Sequence, residues 1–376
     1  MLEALEALVS IETPSSDVAA LQAGAAAVAD LSAAVLGVRP EVVDADGKPL
    51  LLWRFGASTE QVPKVVLVGH FDTVWPKGTL ARWPFAVGSD GERATGPGAF
   101  DMKAGLVQGL FALSTLADLD GIDGIDGVAM VVNADEEIGS LGSRAHIERV
   151  AAGAGAALIL EPAAGGALKT GRKGVSFYDL DIEGRAAHAG LEPHKGANAT
   201  VELAHRVLAL GALADTGAGT TVTPTAASAG SSPNTVPASA TLHVDVRATT
   251  VAEQERVDRE LRAIPAAVDG VTVSVRGGPN RPPFEESASA DLFARAAKVA
   301  AALGLAPLRS VFVGGGSDGN FTAGIGVPTL DGLGATGHHA HAEGEYVDVP
   351  AMAERAALVA GLVAELLAQG RDRAGT

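Results

Sequence analysis

A chain of 376 residues exceeds what one ordinary hydrophobic core spans, so two domains are expected. Hydrophobic residues make up 47% and charged residues 19%, which excludes a disordered or fibrous chain. A formal net charge of -17 argues against nucleic acid or a membrane as partner, and the absence of cysteine excludes disulfides, cysteine zinc fingers and thiol nucleophiles.

Any zinc must therefore be held by His, Asp and Glu. The N-terminal MLEALEALVSIETPSSD carries Glu3 and Glu6 where a secretory signal needs positive charge. No apolar run reads as long enough to span a bilayer, so a cytoplasmic location is expected.

In chain order, SSDVAALQAGAAAVADLSAAV predicts a capped helix from Ser15 to Val35, ending near Gly37. Leu50–Phe55, Val65–Gly69, Val128–Val132 and Ala157–Leu160 are short apolar runs of the kind that form buried strands. Helical spacing over Met102–Leu116 places a helix among them, and this alternation predicts an α/β domain with a largely parallel, mixed sheet.

After Lys173 the texture changes. GVSFYDLDIEG and ATLHVDVRA alternate apolar and polar residues, as half-buried antiparallel strands do. Strands at 175–182, 220–228, 240–248 and 271–275, with helices at 198–213 and 251–263, predict a βαββαβ, ferredoxin-like α+β insert. The stretch 216–232 resembles a linker, yet 221–225 is good strand material, so it is read as strand plus loop. From Ser287 the first pattern resumes and closes with a helix that has Pro350 early and Gly370 past its end. The expected domains are residues 1–173 with 281–376, and 174–280.

Several acid and imidazole residues follow predicted strands, where open α/β sheets place ligands. His70 ends VVLVG and Asp72 follows two residues later, so in an extended segment both face one side. A carboxylate behind an imidazole is a common arrangement for a zinc ligand, although a lone His-x-Asp is commonplace. Asp101 in GPGAFDMKAG follows a Gly/Pro loop and opens a helix, where its carboxylate can project into the crevice at the sheet's edge; taken alone it reads as the helix cap. Asp135, Glu136 and Glu137 follow an apolar strand and repel one another unless a cation or protons compensate; the alternative is a solvated acidic turn. Glu161 repeats the pattern after ALIL, and ATGHHAHAEGEYV offers His338, His339 and His341.

The motif order GHFDTV, GPGAFDMKAG, DEEIGSLGS, LEP, GRAAHAG, GGGSDGN and HAEGEYV resembles the dinuclear zinc exopeptidases of the acetylornithine deacetylase, aminoacylase and glutamate carboxypeptidase group. The resemblance spans nearly the whole chain. Glu161 in LEP and the turn RPPF make it most like the folate-cleaving glutamate carboxypeptidases. It implies two zinc ions, replaceable by cobalt, with His70 and Glu161 on one, Glu137 and His341 on the other, and Asp101 bridging. It further implies that Asp72 orients His70, that Glu136 is the general base, and that Asp101–Met102 is a cis peptide.

His341 is favoured over His339 because Glu345 and Tyr346 then keep the family's offset. The resemblance also implies that His188 contributes to a neighbouring subunit's site in a homodimer formed through the insert, a lid domain; its alternative is an ordinary strand-end histidine. Asn234, Arg247 and Arg281 occupy positions associated with substrate recognition, Arg281 being suited to a carboxylate. The implied reaction hydrolyses an amide or peptide bond of a small-molecule substrate and releases a C-terminal amino acid. The same group also contains N-acyl-amino-acid deacylases and dipeptidases.

Two other readings compete. VGGGSDG fits a G-x-G-x-x-G turn with Asp331 downstream, as a nicotinamide-dinucleotide-binding oxidoreductase requires. Against it, GNFTAGIG is too short and glycine-rich for a crossover helix. A non-catalytic metal-binding relative is expected to have lost a ligand or the base, and every such position is filled here.

Overall fold

The computed structural model describes residues 1–56 and 62–373. The chain folds into two compact units: Met1–Gly171 with Glu285–Val313 and the chain from Ser317 onward, and Arg172–Phe284 with Gly314–Gly316.

The first unit is built on a six-stranded sheet in the order Glu41–Ala45, Lys48–Arg54, Val128–Asn133, Val65–His70, Ala156–Ile159, Thr329–Leu330. The last four strands run parallel, and Lys48–Arg54 is antiparallel to its neighbour. The first two strands form a hairpin that the sequence reading missed. Asp46 and Gly47 close it, both at positive φ (55° and 80°), as a two-residue Asp-Gly turn requires.

Alternation explains why these runs look uniformly apolar. Val65 and Leu67 enter a core beneath the helices Val18–Leu36, Ala104–Asp120 and Ala351–Arg373, while Val66 and Val68 enter a second core beneath Arg144–Ala151. A strand covered on both faces keeps no polar side. Each fully buried Val or Leu contributes about 1.5–3 kcal/mol.

The first long helix begins at Val18 because the Asp17 side chain accepts the N–H of Ala20, and it stops at Gly37 in the left-handed conformation. By length and composition it could cross a membrane, contrary to the expectation that no run could. In the fold its Leu21, Ala25 and Val28 line the core, and Trp53 Nε1 donates to Ser32 Oγ at 2.8 Å. The final helix starts after Pro350 and continues through Gly370 to Arg373, so that glycine does not end it.

The three parallel strands starting at Val65, Val128 and Ala156 finish on one edge of the sheet. They deliver His70, the segment after Asn133, and Glu161 to one side.

The second unit is a four-stranded antiparallel sheet in the order Thr221–Ala229, Ser239–Ala248, Gly174–Glu183, Thr272–Arg281, with helices Ala199–Gly211 and Val251–Ala263. Tyr178, Leu180, Leu242, Val244 and Val246 pack with Leu210, Val257 and Leu261. The opposite face is polar, carrying Arg276–Asp181 at 2.7 Å and His243–Asp179 at 2.5 Å. Strand 272–281 runs six residues past the expected end because its bulge at Pro279/Arg281 lets pairing continue to Val175.

Candidate metal centre and active site

His70 is buried at its strand end. Its Nδ1 faces the Asp72 backbone oxygen at 3.1 Å and Asp72 Oδ1 at 3.3 Å, both acceptors. The neutral ring therefore keeps its proton on Nδ1 and presents the Nε2 lone pair. Among the described residues that buried Nε2 atom has no hydrogen-bond partner; it lies 3.4 Å from Glu161 Oε1, 3.5 Å from Asp101 Oδ1 and 4.0 Å from Glu136 Oε2.

Asp101 faces two rings at once: its Oδ2 lies 3.3 Å from His341 Nε2. His341 Nε2 is also 3.0 Å from Glu137 Oε2. His70 with Glu136 and Glu161, and His70 with Asp101 and Glu137, each place ligand atoms within 4.8 Å of one another. Four carboxylates and two imidazoles thus converge.

Four carboxylates gathered on a partly buried edge repel unless positive charge lies among them. In the metal-free protein the imidazoles supply it. Hydrogen bonds donated by His341 to the Asp101 and Glu137 carboxylates push its ring up to about 10. For His70 burial opposes the charge, yet Asp101, Asp72 and Glu161 raise it well above its ordinary value. Burial pushes Glu137 up, and His341 only partly offsets this. An orphaned buried Nε2 amid oxygen donors is what a borderline-hard divalent cation such as zinc binds, so the residues fit a metal.

The supports explain the geometry. Asp72 is fully buried; its Oδ2 accepts Ser15 Oγ at 2.6 Å, and its two oxygens accept the N–H groups of Glu136 and Glu137 at 3.2 and 3.3 Å. One carboxylate therefore backs His70 and seats the turn carrying both glutamates. Glu345 does the same for Asp101, accepting the N–H groups of Gly98, Phe100 and Asp101 at 3.1, 2.8 and 2.9 Å and Trp75 Nε1 at 3.0 Å. Burial pushes Glu345 up to about 7 despite these donors.

The Asp101–Met102 bond is cis. Gly98, at φ 72°, lies where a Cβ would come 2.4 Å from Thr73 Cγ2, and a Cβ on Gly105 would meet the Leu160 oxygen at 2.1 Å. Only glycine lets these segments approach each other so closely.

One sequence-based placement needs correction. The Asp135–Glu137 triplet does not act as three grouped carboxylates. Asp135 turns away and accepts Gly142 N–H at 2.8 Å and Ser143 Oγ at 2.5 Å. His339 packs its ring near Tyr346, with centroids 6.1 Å apart, and does not join the cluster beside Glu137 that His341 occupies. Lys169, whose Nζ lies 3.7 Å from Glu161 Oε2, was missed, since nothing in its local pattern marks it.

The four insert residues group within their own unit. His188 is exposed, its Nδ1 accepting the N–H groups of Gly190 and Leu191, and it bridges to Thr235 beside Asn234, whose backbone oxygen accepts Ala189 N–H at 2.9 Å. Arg247 and Arg281 flank Val175 on adjacent strands; Arg247 is half-buried and paired with Asp245 at 2.8 Å, while Arg281 is buried. The GGGSDG turn leads into a helix of only six residues, Gly319–Gly324, and Asp331 is buried, accepting Ser317 Oγ at 2.7 Å. A dinucleotide fold needs a longer crossover helix.

The family model for peptidase family M20/M25/M40 matches residues 66–365. The chain belongs to peptidase family M20. This M20 peptidase is 33% identical to carboxypeptidase G2 from Pseudomonas sp. over 315 residues, covering 80% of this chain and 74% of that one. Its fold is similar to aminopeptidase PepT from Bacillus cereus (TM-score 0.76, 20% identity, 97% and 98% of the two chains). It is equally similar to an M20 metallo-carboxypeptidase from Sulfolobus solfataricus (TM-score 0.76, 17% identity, 97% and 98%). The chain is a metal-dependent hydrolase of peptide or amide bonds.

Proposed function

We propose that this M20 peptidase is a two-zinc carboxypeptidase that releases a C-terminal amino acid, in the manner of glutamate carboxypeptidases. The observation that carries the reading is Asp101, whose two carboxylate oxygens face His70 Nε2 and His341 Nε2 at 3.5 and 3.3 Å. A single carboxylate between two imidazoles, each with its own glutamate, is the donor set for two cations. His70 and Glu161 would hold one, His341 and Glu137 the other, with Asp101 shared.

Bound zinc supplies Lewis acidity toward water and a carbonyl oxygen. The chain's own residues do the rest. Glu136, 4.0 Å from His70 Nε2 and only slightly exposed, takes a proton from the attacking water and returns it to the departing nitrogen. Asp72 holds His70 and the backbone of Glu136 still, so neither group reorganises as charge moves. Arg247 and Arg281 are assigned to the carboxylate of the released residue, Asn234 to its remaining polar contacts, and His188 to the neighbouring subunit's site, where it would stabilise the developing oxyanion.

We assign a homodimer to the insert as well. Helix Ala199–Gly211 exposes Val201, Val207 and Leu208, the last 75% exposed, beside the strand Thr221–Ala229, which among the described residues is an edge strand. Leu208→Glu then yields a monomer by light scattering.

The reading is tested by loading metal-stripped protein with zinc or cobalt and screening N-acyl amino acids, dipeptides and folate-type glutamate conjugates. Preferential release of a C-terminal acidic residue supports it. Preference for dipeptides or simple N-acyl amino acids moves the protein to the deacylase or dipeptidase alternative, and uniform inactivity contradicts both.

A further inference from the structure

The roles above leave one buried polar chain unused. Asp318, in the GGGSDGN segment, is 2% exposed and belongs to the same compact unit as the metal centre. Its Oδ1 accepts Ser140 Oγ at 2.5 Å and its Oδ2 accepts Asn133 Nδ2 at 2.7 Å. Those two partners bracket Glu136 and Glu137. Asn133 ends its strand opposite His70 and accepts Phe71 N–H at 3.0 Å, so it is fixed to the histidine's own strand.

Ser140 lies on the far side of the turn at φ 55°, a conformation that non-glycine residues seldom adopt unless surrounding contacts impose it. The closure is reinforced from inside. Ser140 N–H donates to the Asp135 oxygen at 2.8 Å, Asn133 Nδ2 also reaches Ser143 Oγ at 3.0 Å, and Ser143 Oγ donates to Asp135 Oδ1.

We propose that Asp318 is a positioning residue: its one buried carboxylate clamps Asn133 and Ser140, the two ends of the turn, and thereby sets where Glu136 and Glu137 stand. Asp72 holds the turn's backbone from the His70 side, and Asp318 holds its ends from behind. An ionised acceptor suits this place because both partners are donors, and bonds to a carboxylate are shorter and stronger than neutral ones. In Asp318→Asn the charge is lost and one oxygen becomes an NH2 group, so both charge-assisted bonds give way to weaker neutral ones and the Ser140 hydroxyl must turn to accept. The consequence for catalysis rests on the reading of Glu136 as base and Glu137 as ligand; the clamp itself does not.

The test uses the full chain and the variants Asp318→Asn, Ser140→Gly and their combination, with Val363→Ala in the last helix as a control of matched destabilisation. Glycine at 140 keeps the left-handed backbone and removes the CH2OH side chain with its hydroxyl. In metal-free protein, amide exchange over residues 135–143 should be about tenfold faster in Asp318→Asn and unchanged in the control. In the zinc enzyme, kcat should fall about 10–100-fold with KM held within about twofold, and the double variant should be no worse than Asp318→Asn alone. Wild-type exchange in Asp318→Asn, or an equal response in the control, overturns the clamp. Accelerated exchange in a chain whose wild type is catalytically inert upholds the clamp and overturns the functional reading.

Discussion

Asp72 Oδ1 accepts the backbone N–H of Glu136 at 3.2 Å while standing 3.3 Å from His70 Nδ1. The ring that would bind metal and the turn that carries the base therefore share one buried anchor. In Asp72→Asn the amide can no longer serve His70 and both glutamate N–H groups as an acceptor. Metal affinity and kcat should each fall about 10–100-fold. Competition against a coloured chelator and steady-state kinetics measure the two, and loss of one alone contradicts the shared anchor.

Metal uptake should release protons. His341 is raised to about 10, so its ring is protonated in the metal-free protein near neutral pH, and the carboxylates around His70 raise that ring too. A cation must displace the His341 proton, so affinity rises with pH across the neutral range and flattens only near pH 10. Calorimetry in buffers of different ionisation enthalpy should show at least one proton released per fully loaded chain. Heats that do not depend on the buffer refute this.

His341→Ala should lose one of two metal equivalents, since its Nε2 stands 3.0 Å from Glu137 Oε2, whereas His339→Ala should keep both. Metal analysis after desalting decides between them. Equal stoichiometry in the two variants contradicts the ligand assignment.

The insert has its own buried ion pair, Arg206 Nε to Glu202 Oε1 at 2.8 Å, with Glu202 Oε2 accepting the N–H groups of Ala267 and Val268. Burial raises the Glu202 carboxyl, but Arg206 and these N–H groups outweigh it, so its folded value lies below the ordinary 4.5. The contribution is complete above about pH 4.5 and is lost as pH falls through the folded value. Glu202→Ala leaves Arg206 charged and buried and should cost about 3–5 kcal/mol in denaturant unfolding. A change below about 1 kcal/mol would place the pair among weak surface bridges.

Much of the site could be read from the chain because the relevant groups follow apolar strands. His70 and Glu161 end or follow parallel neighbours, and parallel strands deliver their ends to one edge. Direction was not legible. Asp135 is adjacent to Glu136, yet it points into its own turn, since spacing within a loop does not tell which way a side chain faces. Supports contributed from afar were equally hidden: Ser15 reaches Asp72 across 57 residues, Glu345 reaches Phe100 across 245, and Asp318 reaches Asn133 across 185. The Asp46–Gly47 hairpin carried a local signal and was overlooked, whereas the βαββαβ insert was evident because half-buried strands alternate along their length.

The central claim is that Glu136 moves the proton while other residues hold metal. It is tested most directly by preparing Glu136→Gln and measuring its zinc content and kcat beside wild type. Unchanged zinc per chain is expected, with kcat lowered by about 10²–10⁴-fold. Turnover close to wild type at full zinc occupancy would contradict it.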